Sequence, residues 1–137
     1  MNRAETVQLC RLVKSMCASQ TFDEFTPDAW ALILGHVSYE DAKAAVVHLS
    51  GLDLEPGHSR YIEPGHIIAQ VKRIRAKRLE NHAPVDPPSG LSTGEYLTWL
   101  RATNEAIASG QEIAPRASLA ADPERGMNAI AEEDEDQ

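Results

Sequence analysis

Any chemistry on this chain would have to come from five histidines, two cysteines and a few adjacent carboxylates. His36, His48, His58, His66 and His82 are scattered over a helix end, a helix, a loop, a helix start and the segment that follows it. Only His58 and His66 are placed to approach each other across a loop. No third ligand accompanies them, so the pattern falls short of the donor set that holds a zinc ion. Cys10 and Cys17 stand seven residues apart on one predicted helix face. Two turns separate their Cα atoms by about 10 Å, beyond disulfide reach. They read as buried thiols. Glu40-Asp41 reads as a first-turn pair at the positive end of a helix dipole. Phosphate-binding glycine loops, Cys-x-x-Cys and His-Glu-x-x-His are absent. The sequence predicts no catalytic residue, no metal ligand and no cofactor, hence a non-enzymatic protein.

Two other clusters could bind a partner. The first is the basic run Lys72, Arg73, Arg75, Lys77 and Arg78. Five cations are enough for weak, salt-sensitive phosphate contact. At helical spacing they do not share one face, no aromatic side chain interleaves them, and part of the pattern is dipole complementarity at a helix C-terminus. The second cluster is Tyr96, Trp99, Leu100, Thr103 and Ile107, at i, i+3, i+4, i+7 and i+11. A Trp and a Tyr on such a stripe either fold back on a core or dock in a partner's groove; the pattern is the same for both.

Charge divides the chain that carries these clusters. Residues 1–82 hold 10 Lys+Arg and 10 Asp+Glu, whereas residues 83–137 hold 3 and 11, which gives the whole net charge of −8. The break falls at Ala83-Pro84-Val85-Asp86-Pro87-Pro88. A patterned N-terminal half, a Pro-rich hinge and an acidic, weakly hydrophobic tail make the layout of an adaptor with a flexible arm. A protein this acidic is a poor general nucleic-acid binder, so direct DNA contact is expected to be weak or absent. No run of 18 apolar residues exists, so no membrane span is expected. Residues Met1 to Glu5 open into an amphipathic pattern without the apolar block of a signal peptide, which predicts a cytoplasmic protein.

The elements that must position the clusters are helical. Val7, Leu9, Cys10, Leu12, Val13, Met16 and Cys17 predict a first helix over 3–18. Thr26-Pro27-Asp28 predicts a second, with Thr26 as N-cap and Pro27 at N1, ending at Gly35. Ser38 and Asp41 predict the cap of a third, stopped by Gly51. Pro64 opens a fourth over 64–81, with Ile67, Val71 and Ile74 as its buried stripe. Ser92-Thr93-Gly94-Glu95 is a capping box for a fifth over about 92–109, with Gly110 as C′. The expected architecture is all-α. A four-helix domain spans 1–82, a hinge 83–91, an amphipathic helix 92–110 and an acidic disordered tail 111–137. Asp122-Pro123 is able to start one more short helix through Ile130.

The residues also carry a resemblance. Arg3-Ala4-Glu5-Thr6-Val7, then Phe22 to Trp30 (FDEFTPDAW), Tyr39 to Val46 (YEDAKAAV) and Tyr61 to Ile67 (YIEPGHI) follow in order. Over about residues 3–80 this resembles the phage replicative-helicase loader/inhibitor family. The resemblance implies a non-enzymatic protein with a helical N-terminal domain and a largely unstructured C-terminal region. It implies a role in phage DNA replication inside an infected bacterial host: carrying a hexameric replicative helicase to an origin-bound initiator and holding it inactive until delivery. It further implies that the C-terminal region contacts the helicase and that the N-terminal domain meets the initiator. The stripe Tyr96, Trp99, Leu100 and Ile107 is then the candidate partner-binding surface, and no small-molecule substrate is expected. The alternative is a small helical DNA-binding or transcription-regulating module that uses the basic run of the fourth helix. A structural protein with another partner is a third reading.

Limited proteolysis is expected to cut first between Ala83 and Leu91 or after Gly110, leaving a resistant fragment near residues 1–82. Failure of that fragment to persist without residues 92–109 would contradict the two-part architecture.

Overall fold

The structure, a computed structural model, describes residues 1–114. The tail from 115 onward, the short helix expected from Asp122 and the acidic terminus 132–136 lie outside the described residues. The fold is all-α: α1 (Arg3–Met16), α2 (Thr26–Leu34), α3 (Tyr39–Ser50), α4 (Pro64–Asn81) and α5 (Thr93–Ala108). Two compact units divide inside α4, the first over residues 1–77 and the second starting at Arg78.

In the first unit, α1 packs on both α2 and α3. Asn2 caps α1: its side chain accepts from the Glu5 amide at 2.9 Å while the Glu5 carboxylate accepts from the Asn2 amide at 2.9 Å. Leu9, Cys10 and Val13 recur at helical spacing on the buried face. The helix stops at Met16, two residues short of the expected Ala18, because Cys17 leaves helical geometry (φ −125°, ψ 74°). The Lys14 ammonium reaches past this end to the carbonyls of Ala18 (2.9 Å) and Gln20 (2.7 Å).

The start of α2 differs from expectation. Thr26 is a helical residue rather than the N-cap, and the position before it, Phe25, offers no side-chain cap. Asp23 does the capping. Its carboxylate accepts from the amides of Phe25 and Thr26, both at 2.9 Å, and from the Thr26 hydroxyl at 3.0 Å. The Thr26 hydroxyl, with the Phe25 amide, holds the Asp23 carboxyl below the usual carboxylate range. Trp30 and Leu34 point from α2 into the core, and Phe22 stacks on Trp30 with ring centroids 5.5 Å apart.

Ser38 caps α3 as expected, accepting from the Asp41 amide at 3.2 Å. Its buried face is Ala42, Ala45 and Val46, small enough for α1 to approach closely. Arg60 closes the other end, donating through Nη1 to the Leu49 carbonyl and through Nη2 to that of Leu52 at 2.6 Å. Ile67 and Val71, from the first turns of α4, complete one cluster with the residues above and with Val37 and Ile62 from the connections. Ile74 and Ile68 pack partly buried against it.

One polar side chain is built into this core. Gln20 is 4% exposed and pairs both ways with the backbone of Ile62: its amide donates to the Ile62 carbonyl at 2.7 Å and its oxygen accepts from the Ile62 amide at 2.9 Å. The side chain stands in for a neighbouring strand and satisfies two buried backbone groups 42 residues away.

Two substitutions test this packing. Trp30→Ala is expected to destabilise the first unit by about 3–5 kcal/mol, the range for a large buried aromatic; an unchanged melting temperature would contradict its place in the core. Gln20→Ala leaves the Ile62 carbonyl without its partner, at about 1–3 kcal/mol, and leaves the Ile62 amide with only the Cys17 thiol, a weak acceptor. Gln20→Glu can still accept from Ile62 but, when ionised, cannot donate to it. Burial of that carboxyl against a carbonyl raises its folded-state pKa, so the stability it retains is present in acid and is lost as pH rises through that raised value. Thermal melts of Gln20→Glu at acidic and neutral pH, each relative to the parent chain, should show the smaller deficit in acid.

Candidate functional site

The aromatic stripe lies wholly in the second unit. Ser92 caps α5, its hydroxyl accepting from the Glu95 amide at 3.3 Å, which is one half of the expected capping box. The helix ends as predicted, with Gly110 at a left-handed φ of 83°, the conformation a C′ glycine accepts without Cβ strain. Arg78 secures that end, its Nη1 donating to the Ala108 carbonyl at 2.9 Å. The guanidinium thereby meets both an orphan carbonyl and the negative end of the α5 dipole.

The stripe divides along the helix. Ile107, in the last turn, is buried, as is its neighbour Ala108. Trp99 and Leu100 are half-buried. Both line a groove of about 240 Å³ with Leu79, Pro84, Val85 and Ile107. Pro84 and Val85, at the start of the expected hinge, thus wall this groove beside Trp99 and Leu100. In the first turns of α5, Tyr96 and Leu97 remain exposed, and the Tyr96 ring sits 5.9 Å from that of Trp99. The stripe thus has an anchored end, Ile107, and an open end, Tyr96 with one edge of Trp99. Leu97, which the periodicity leaves off the stripe, belongs to the open end.

The basic run divides in the same way. Lys72, Arg73 and Lys77 are exposed on α4, while Arg75 and Arg78 are half-buried. Arg78 is engaged with the Ala108 carbonyl, and Arg73 donates to the Gln70 side chain at a long 3.4 Å. Lys72, Arg73 and Lys77 are the cations best placed to meet a phosphate; Arg78 would have to release α5 to do so.

The titratable groups do not converge. Among the described residues, no three of His, Cys, Asp and Glu gather as a metal-holding group. His66 accepts from the Glu63 amide at 3.1 Å, helping to start α4, and His58 stands 3.7 Å from Glu55. Cys10 and Cys17 are both buried and free. Burial pushes the Cys10 thiol up to about 11. Burial also raises Cys17, with the nearby Arg60 charge and a backbone hydrogen bond from Ile62 opposing it. Neither has the depressed pKa of a reactive thiolate. No helix among the described residues is long and apolar enough to cross a membrane.

The cysteine environment gives a pH prediction. A folded-state pKa above the unfolded one stabilises below the unfolded value and is lost as pH rises through the folded one. For Cys10 that window runs from about 9 to about 11. Stability is expected to fall across it, and less steeply in Cys10→Ala than in the parent chain; equal slopes would contradict the burial argument. No family model matches the chain, and no curated protein or solved structure matches it.

Proposed function

We propose that this chain is a non-enzymatic adaptor of phage DNA replication that binds, restrains and delivers a hexameric replicative helicase to an initiator complex. The resemblance of residues 3–80 to the helicase loader/inhibitor family supplies the partner. The observation that carries the mode of binding is the divided stripe of α5. A helix fixed at its C-terminal end by Ile107 and by Arg78 on the Ala108 carbonyl, with Tyr96 and Leu97 in solvent, is preorganised for docking. Aromatic side chains of this kind are frequent anchors at the centre of interfaces. The acidic 83–137 segment adds attraction at a distance. It would occupy cationic DNA-binding surface on the helicase in place of the phosphate backbone, which restrains the motor until delivery.

Binding kinetics on a purified replicative helicase at two salt concentrations test this. Deleting residues 132–137 should mainly slow association and reduce its salt dependence, because distant charge steers encounter. Tyr96→Ala and Trp99→Ala should mainly speed dissociation, because anchors act after contact. Binding unchanged by any of the three would remove α5 and the acidic terminus as the arm.

The exposed Lys72, Arg73 and Lys77 support a second reading, a small DNA-binding or regulatory module. Neutralising these three should then weaken binding to every duplex alike and flatten the salt slope. Tight binding to one duplex that survives 200 mM salt, read by gel shift, would place this reading first.

A further inference from the structure

The outer side of α2 is largely apolar, with Asp28 at one edge. Trp30 and Leu34 turn inward. At about 100° per residue, Leu32, Phe25, Ala29 and Ile33 form one continuous arc turned away from them. All four are exposed, Leu32 at 89% and Phe25 at 67%. A contiguous exposed apolar patch of this kind often marks an interaction site. The arc continues across a groove of about 380 Å³ whose walls are Ile33 and the half-exposed Tyr61 and whose floor includes Phe22 and Trp30. All of these residues belong to the first unit.

The charged side chains that α2 and the Tyr61 segment themselves bring to this surface are carboxylates. Asp23, Glu24, Asp28 and Glu63 are exposed on the same two segments. No Lys or Arg occurs from Thr21 to Val37 or from Tyr61 to Val71. Two cations reach the rim: Arg3 pairs with Asp28 at 2.7 Å, and the Met1 ammonium donates to the carbonyls of Gly35 (2.9 Å) and Val37 (2.7 Å), which leaves Glu24 and Glu63 as the carboxylates open to a partner. Arg60, beside Tyr61 in sequence, is held by the carbonyls of Leu49 and Leu52.

We infer that the outer face of α2, with the Ile33–Tyr61 groove, is a docking surface for a protein segment that sets Lys and Arg around two or three apolar anchors. Apolar anchors match Phe25, Leu32 and Ile33, and cations match the carboxylates of Glu24 and Glu63, the latter in the lining of the groove. The residues argued from all belong to the first unit and none to α5, so the inference stands whether or not α5 binds a helicase.

The test uses the full chain and a short amphipathic helical peptide of Leu and Lys, with a Leu/Glu peptide of the same pattern as control. Amide signals at residues 25–33 and 61 are expected to shift with the Leu/Lys peptide and to stay still with the Leu/Glu one. Leu32→Gln with Ile33→Gln should keep the parent melting temperature, since both side chains meet solvent, and weaken the peptide by at least about tenfold. Glu24→Gln with Glu63→Gln should weaken it and reduce its salt dependence. Shifts confined to the acidic residues 132–136, equal affinity in the Leu32/Ile33 variant, or equal binding of the Leu/Glu peptide would overturn the inference. So would a concentration-dependent dimer that the Leu32/Ile33 variant abolishes, because a second copy would then be the occupant.

Discussion

The first unit depends on the pairing of Gln20 with Ile62. The chain between α1 and α2 and the chain just before α4 are both irregular, and both run next to the core. Each brings backbone groups that water cannot reach, and an unmade hydrogen bond there costs more than a made one returns. One carboxamide satisfies a donor and an acceptor together. By fixing Ile62 it fixes where Pro64 begins α4, and so where Ile67 and Val71 enter the cluster formed by α1, α2 and α3. Cys17 and Arg60 sit beside the same joint, which is why the Cys17 thiol feels both burial and a guanidinium. A substitution at Gln20 therefore touches the placement of two connections, α1–α2 and α3–α4.

The second unit is held differently. Among its described residues, α5 is anchored at its C-terminal end by Ile107, Ala108 and the Arg78 bond to the Ala108 carbonyl. A helix anchored at one end opens locally at the other more readily than one buried along its length. In the proposed adaptor this suits a helix that must offer Tyr96 and Trp99 to a partner while keeping its own direction.

Much of the fold was legible in the sequence because its punctuation is local. Pro64 and the Ile67–Val71–Ile74 stripe bound α4, Ser38 and Ser92 cap helices with their own hydroxyls, and Gly110 ends α5 where only a glycine is comfortable. Local signals also misled where two residues competed for one task. Thr26 looked like the cap of α2, but Asp23 lies three residues earlier and its carboxylate binds the Thr26 hydroxyl as well as two amides. The Gln20–Ile62 pair was not legible, since nothing in a polar residue's own neighbourhood says that a backbone 42 residues on will meet it. Of the candidate sites, periodicity found the stripe on α5 but could not say that Ile107 is buried while Tyr96 is open. The outer face of α2 was not singled out in the sequence, because only the packing of Trp30 and Leu34 shows that Leu32 and Ile33 are left in solvent.

The central claim is that the chain binds and restrains a hexameric helicase. The most direct measurement follows DNA unwinding by a purified replicative helicase as the full chain is added, with the mass of the complex determined in the same samples. The account predicts a defined complex whose formation parallels loss of unwinding, with unwinding recovered when the chain dissociates. Full unwinding at chain concentrations well above that of the hexamer, with no complex detected, would contradict it.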